Sequence, residues 1–311
     1  MVAPATALNI GGVIWYQGCS NADGYLTYPA YQRTLIDAWR RAFRDNAMPF
    51  LLCQISALRE HRPADRLPDG FWTDETPDQG VGAWPMFRLA QDTLKDCPRT
   101  GVVCTIDIGD HSDIHPSNKK EVARRLALAA MRISFGDAAQ LPGPRCRGVV
   151  QRDDALVVTV SDVGSGLVAD GGTVSPHLFS VAGEDGVFHW ATAKIGADGT
   201  ITVRSDAVKR PVGIRYCHQQ YPPEANVRRK DDGVPLYPFA VELPNSAVRP
   251  WKLSANGRVE PVGVAPENLR LGWKLPEGLV RQGAYEIEAD GIACGRIASD
   301  DNVAVELERK L

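Results

Sequence analysis

No apolar run in this chain approaches the roughly 20 residues that a helix needs to cross a bilayer. Charge of one sign is also lacking. Thirty-five Lys and Arg against 38 Asp and Glu leave a formal net charge of -3, which supplies no basic field for nucleic acid and no attraction to a membrane surface. Cysteine is sparse and badly spaced for cross-linking. Its seven residues, at 19, 53, 97, 104, 146, 217 and 294, are odd in number and form no CxxC pair, which argues against a disulfide framework, and nothing resembles a zinc site. Cys53 and Cys104 lie inside apolar runs, where free cysteine serves as a small buried hydrophobe. Residues 1–10 show no basic start followed by a long apolar stretch, so no secretory signal is expected there.

What remains is a globular composition. The chain has 311 residues, 44% hydrophobic and 23% charged, enough for two or three domains. Between Gly12 and Gly136 the pattern alternates: strand 12–16, helix 29–44, strand 49–55, helix 85–96, strand 101–108, helix 117–135. Tyr31, Leu35, Trp39 and Phe43 place an apolar stripe on the first helix. Val122, Leu126, Ala129 and Ile133 do the same on the last, with Ser117 as its N-cap. Such alternation predicts α/β architecture, a parallel sheet with helices on its faces. The Pro-, Asp-, Arg- and Gly-rich segment 56–84 interrupts it with two exposed-looking tryptophans, Trp72 and Trp84, and reads either as a substrate-covering loop or as a surface excursion.

Beyond a Pro142-Gly143-Pro144 linker the helices stop. Short β-type runs at 155–160, 200–203 and 212–216, with turn signals at Glu184-Asp185-Gly186 and Ala197-Asp198-Gly199, predict an antiparallel β-sandwich. A third β-rich stretch follows Asn245. The expected domains are therefore 1–141, 142–244 and 245–311.

Two polar loops carry the candidate chemistry. The run Gly12–Tyr16 breaks into Gln17-Gly18-Cys19-Ser20-Asn21-Ala22-Asp23-Gly24, and the run Val102–Ile106 breaks into Asp107-Ile108-Gly109-Asp110-His111-Ser112-Asp113-Ile114-His115-Pro116. Polar loops at strand ends are where α/β enzymes present catalytic groups. Asp113 sits two residues before His115, a carboxylate placed to orient an imidazole in serine-nucleophile hydrolysis. Gln17 offers a side-chain amide and Gly18 a backbone that a ligand can approach closely.

The stretch from Gly12 to Ala22, with Asp107-Ile108-Gly109-Asp110 and the run from Asp113 to Ala127, resembles the sialate O-acetylesterase family of SGNH hydrolases. Val163–Leu167, Ala182–Gly186 and Pro223–Val227 extend the resemblance through about residue 244. It implies a three-layer parallel sheet, here incomplete at its N-terminus, followed by an antiparallel β-sandwich. It also implies hydrolysis of O-acetyl esters on a carbohydrate substrate through an acetyl-enzyme, without metal or cofactor, in a periplasmic or secreted setting. His115 matches the catalytic base and Asp113 its acid, with Asp110 in reserve because many SGNH enzymes space the pair by three. Gln17 and Gly18 match the oxyanion-side loop, Asn21 braces it, and Arg88 and Gln91 lie on a helix near the pocket as candidate substrate contacts; their alternative is a solvated helix face.

Two departures stand out. Cys19 replaces the family's usual Glu, and the family's Gly-Gln-Ser-Asn-Met nucleophile motif is absent from these residues. Ser20 imitates part of that motif, but Trp15-Tyr16-Gln17 before it and Ala22 after it identify the later loop. The expected partner is thus a missing N-terminal half that supplies the serine. The stretches 266–275, 281–287 and 295–300 resemble the opening β domain of bacterial α-L-rhamnosidases. Beside the esterase reading stand a noncatalytic carbohydrate-binding accessory module, or inactive fragment, and a self-sufficient hydrolase using Ser20.

Overall fold

A computed structural model describes residues 2–58, 77, 83–110, 113–222 and 225–243, together with the backbone of six strands between 251 and 308. Trp72 lies outside the described residues, as does most of segment 56–84. Residues 1–246 form one compact unit and 247–311 a second.

Three short strands, β1 (Val13–Trp15), β2 (Phe50–Cys53) and β3 (Thr100–Val103), make a parallel sheet in chain order. Because strand side chains alternate between faces, each residue's neighbour on the sheet decides which helix covers it. Trp15 pairs with Leu52 and Val13 with Phe50; this face meets helix α1 (Tyr28–Phe43), whose Trp39 ring lies 5.9 Å from Trp15 and 6.1 Å from Phe50. Leu51, Cys53 and Val103 point the other way, against Val122 and Leu126 of helix α3 (Lys119–Ile133). Helix α2 (Ala83–Asp92) precedes β3.

Several sequence expectations shift at this level. The stripe on α1 is displaced: Tyr31 is 71% exposed, and the buried face is Tyr28, Gln32, Ile36 and Arg40. Arg40 can be buried because its guanidinium donates to the carbonyls of Met48 (3.0 Å) and Pro98 (2.6 Å), replacing the water it loses. The cap of α3 is Asn118, whose Oδ1 accepts from the Glu121 N–H at 3.2 Å, and not Ser117. The third strand ends at Val103 rather than 108, because Asp107 is drawn into a two-toothed ion pair with Arg125 (2.6 and 2.7 Å) and an N–H of Arg125 also holds the Cys104 carbonyl at 2.8 Å. Trp84 is half-buried, its indole donating to the Ser56 carbonyl at 2.8 Å. The apolar face of α3 and the burial of Cys53 and Cys104 are as expected.

The antiparallel region is a seven-stranded sheet in the order β12-β10-β7-β8-β9-β5-β4. Its strands are β4 (Arg145–Arg152), β5 (Ala155–Ser161), β7 (Phe179–Ala182), β8 (Phe188–Ile195), β9 (Thr200–Arg204), β10 (Gly213–Tyr216) and β12 (Phe239–Glu242), with a separate ribbon of β6 (Leu167–Ala169) and β11 (Val227–Arg229). The expected turns at 184–186 and 197–199 join β7 to β8 and β8 to β9, with Gly186 and Gly199 at positive φ. The two halves of this unit share one core: Cys104 and Ile106 pack with Leu156, Val158, Phe179 and Tyr216. The Tyr237 hydroxyl donates to the Val102 carbonyl at 2.7 Å and accepts from the Cys104 N–H at 3.0 Å. The Pro142-Gly143-Pro144 segment is therefore a packed joint, with Arg145 donating to the Gly143 carbonyl and paired to Asp92 at 2.8 Å.

The second unit contains a two-stranded ribbon, β13 (Trp251–Leu253) with β14 (Val259–Pro261), and a four-stranded antiparallel sheet. That sheet comprises β15 (Arg270–Trp273), β16 (Tyr285–Ala289), β17 (Ala293–Ile297) and β18 (Val303–Glu308), in the order β15-β18-β17-β16. Most residues of the rhamnosidase-like stretch 266–275 lie outside the described residues.

Candidate active site

The carboxyl ends of the three parallel strands all open toward the same loops, the usual place for a site in an α/β sheet. After β1 the chain runs through Tyr16 and Gln17 and enters a 3-10 turn over Cys19–Gly24. Gln17 is held at both ends. Its carbonyl accepts from the Tyr28 hydroxyl and from Gln91 Nε2, each at 3.3 Å, and its side-chain Oε1 accepts from Tyr28 at 3.2 Å. Its Nε2 donates to Asn21 Oδ1 at 2.5 Å, while the Asn21 N–H donates to the Gly18 carbonyl at 2.7 Å. The loop is thereby closed on itself, with Gln17 and Asn21 exposed at its surface.

Gly18 is the constrained point of this loop. It adopts φ +149°, and a Cβ there would lie 2.5 Å from Phe87 Cε1 and 3.1 Å from Gln91 Nε2, so only glycine fits. Gly18→Ala is expected to push the loop off α2, breaking the Gln91–Gln17 bond. Thermal stability should fall by about 1–3 kcal/mol. Thermal melts check this; an unchanged melting temperature would contradict it.

Arg88 and Gln91 lie beneath the loop and not on a solvated helix face. Gln91 is buried, its Oε1 accepting from the Ile55 N–H at 2.8 Å and its Nε2 reaching the Cys53 carbonyl at 3.3 Å as well as Gln17. Arg88 is fully buried. Its guanidinium donates to the carbonyls of Ile55 (3.1 Å), Ser56 (3.1 Å), Gln219 (2.8 Å) and Gln220 (2.7 Å). These two residues tie the loop after β1 to the loop after β2 and to the β region.

The second loop follows β3. Gly109 lies so close to the loop after β2 that a Cβ would stand 1.9 Å from the Ala57 carbonyl oxygen. Beyond it, the Asp113 N–H donates to Asp110 Oδ1 at 3.2 Å. Asp113 Oδ1 in turn accepts the His115 N–H at 2.7 Å and lies 3.4 Å from His115 Nδ1. Of the two candidate acids, Asp113 lies beside the imidazole, and Asp110 accepts the Asp113 N–H. The His115 ring is 85% exposed. His111 and Ser112 lie outside the described residues.

Side chains flanking the two loops, which sequence reasoning did not single out, approach each other. Lys119, at the start of α3, holds its ammonium 5.3 Å from the centre of the Tyr16 ring, a cation–π approach. The Tyr16 hydroxyl donates to Ser56 Oγ at 3.3 Å, which brings in the loop after β2. Tyr16 stands directly before Gln17 and Lys119 four residues after His115, so their nearness to the motifs was the available signal. Cys19 is half-buried there, and burial pushes its thiol above the ordinary value despite the Arg88 and Lys119 charges. It therefore stays a neutral thiol at neutral pH. Ser20 is exposed, and among the described residues no imidazole hydrogen-bonds to it. Nor do any three His, Cys, Asp or Glu side chains gather among the described residues to hold a metal ion.

No protein-family profile matches the chain. Among curated proteins it is 26% identical to the mouse sialate O-acetylesterase over 270 residues, 80% of this chain and 47% of the relative. It is 31% identical to the human sialate O-acetylesterase over 154 residues, 44% of this chain and 27% of the relative. The chain is similar to the sialate O-acetylesterases. Among solved structures, a carbohydrate acetylesterase from Xanthomonas citri superposes with a TM-score of 0.67 at 33% identity, covering 77% of this chain and 52% of that one. The chain thus spans about half the length of the mouse protein and of the Xanthomonas enzyme. The α/β character, with a parallel sheet and an antiparallel one, accords with the structural match.

Proposed function

We propose that this chain is the histidine-bearing part of a carbohydrate O-acetylesterase working by serine–histidine–acid acyl transfer. The observation that supports the reading is the approach of Lys119, four residues after His115, to the ring of Tyr16, which directly precedes Gln17. The kinship with a carbohydrate acetylesterase at 33% identity supports it.

In this reading His115 takes the proton of a serine hydroxyl as the serine oxygen attacks the acetyl carbonyl. Asp113 orients the imidazole and stabilises its charged form. Donors of the Gln17–Gly18 loop face the developing oxyanion. Collapse of the tetrahedral intermediate expels the sugar oxygen, which receives the proton from His115. Water then attacks the acetyl-serine, its proton passing to His115, and the second tetrahedral intermediate collapses to release acetate as His115 returns that proton to the serine oxygen.

The serine belongs to a polypeptide segment carrying the Gly-Gln-Ser-Asn-Met motif, outside these 311 residues. A docking place for that segment is supported by β1, which pairs only with β2 among the described strands and leaves Ile14 65% exposed. Parallel sheets are ordinarily covered on both faces. The three-layer SGNH layout for residues 1–141, a β-sandwich over 142–244 and a rhamnosidase-like β module over 245–311 complete the proposal.

Acetate release from an O-acetylated sugar tests it, using the chain together with the part of the Xanthomonas enzyme that it does not span, produced as a separate polypeptide. His115→Ala is expected to remove turnover and Ser20→Ala to leave it unchanged. Turnover by the chain alone that Ser20→Ala abolishes would replace this mechanism with one using Ser20. Absence of turnover in every mixture would favour an accessory module.

A further inference from the structure

A cavity of about 300 Å³ opens beside the loop that leads to His115, lined by Asp107, Asp170, Ser175, Ala225, Asn226 and Arg228. Its volume stands at the lower end of the roughly 300–1,000 Å³ range of small-molecule sites, room for a single sugar ring. The wall is built and not incidental. Asn226, buried, donates through Nδ2 to the carbonyls of Asp170 and Thr173, both at 2.8 Å, and accepts the Ser175 N–H at 3.0 Å. One side chain thus pins the whole turn from Asp170 to Ser175. Arg228 spans the floor, with Nη1 donating to Asp107 at 2.6 Å and Nε donating to Asp170. Neither contact uses Nη2, and the Asp170 carboxylate is 55% exposed.

The charges lining the cavity decide what it can hold. Arg228 faces two carboxylates, and Arg125 pairs with Asp107 from the α3 side. An anionic ligand would meet two negative groups for one lining cation, already paired. Hydroxyl groups suit the cavity better, because they can donate to Asp170 and accept from Arg228, both as charge-assisted hydrogen bonds.

We propose that this cavity is a subsite for the hydroxyl groups of an uncharged sugar ring, one that discriminates against sugars bearing a carboxylate. The proposal rests on the carbohydrate reading of the neighbouring loops and is tested without turnover. Saturation-transfer NMR on the intact chain would use the methyl glycosides of glucose, galactose, mannose and xylose, with the methyl glycoside of N-acetylneuraminic acid as the anionic probe. At least one neutral glycoside should show saturation and the anionic one none. Asp170→Ala, which keeps the backbone carbonyl held by Asn226, should weaken neutral binding by about tenfold. Silence from all four neutral glycosides, binding unaffected by Asp170→Ala, or equal saturation of the anionic glycoside would each overturn the proposal. An inactive chain that still binds a neutral glycoside through Asp170 would leave the subsite standing while the esterase reading fell.

Discussion

Arg88→Ala is expected to leave the chain largely unfolded or close to it at 25 °C. Four backbone carbonyls, from Ile55, Ser56, Gln219 and Gln220, converge on this one fully buried guanidinium. Burial pulls its pKa down to about 10, so it remains charged at neutral pH, and the carbonyls replace the water it has lost. Removing it leaves those acceptors without their donor in a buried setting. At about 1–3 kcal/mol for each unsatisfied group, even partial recovery by entering water leaves a loss of at least about 4 kcal/mol. Whole domains have about 5–15 kcal/mol. Arg88→Lys should recover little, because an ammonium cannot reproduce the planar fork. Urea denaturation followed by circular dichroism measures the effect. A midpoint for Arg88→Ala matching the parent chain would show that the clamp between the loop after β2 and the β region contributes nothing to stability.

The same residue marks where sequence reading stops. Residues of the parallel sheet were legible because apolar runs ending in polar loops have a local cause. The face of α3 was legible too, since Val122 and Leu126 at helical spacing meet Leu51 and Val103. The burial of polar residues was not legible. Resemblance placed Arg88 and Gln91 near the pocket, as substrate contacts or as a solvated helix face, and it is partner groups contributed from elsewhere in the chain that make their burial, and that of Arg40, favourable. For Arg88 one of these lies 132 residues away. This also explains the displaced stripe on α1, where Gln32 and Arg40 take inward positions and Tyr31 an outward one. At the site, the loops around Gly18 and His115 were recognisable as motifs. Tyr28, Phe87 and Lys119, which set loop geometry, were not, because each acts through a contact between separate segments.

His115→Ala is the other large effect. General acid–base catalysis by a positioned imidazole is worth about 10²–10⁴-fold, and triad members act as a unit, so acetate release should fall by at least about 1,000-fold. In the proposed mechanism the imidazole moves protons during bond formation and cleavage rather than holding the sugar, so the loss should appear mainly in kcat. Fold is not expected to suffer: the ring is 85% exposed, and the backbone N–H that bonds Asp113 Oδ1 remains. Asp113→Asn should give a smaller fall, because an amide can still accept the His115 N–H but no longer supports a charged imidazolium.

The most direct measurement is the rate of acetate release from an O-acetylated sugar by this chain combined with the unspanned part of the Xanthomonas enzyme, compared between the parent sequence and His115→Ala at equal folded concentration. The expected result is turnover by the parent mixture and a drop of at least about 1,000-fold with the substitution. Equal, measurable rates from the two mixtures would contradict the assignment of His115 as the base.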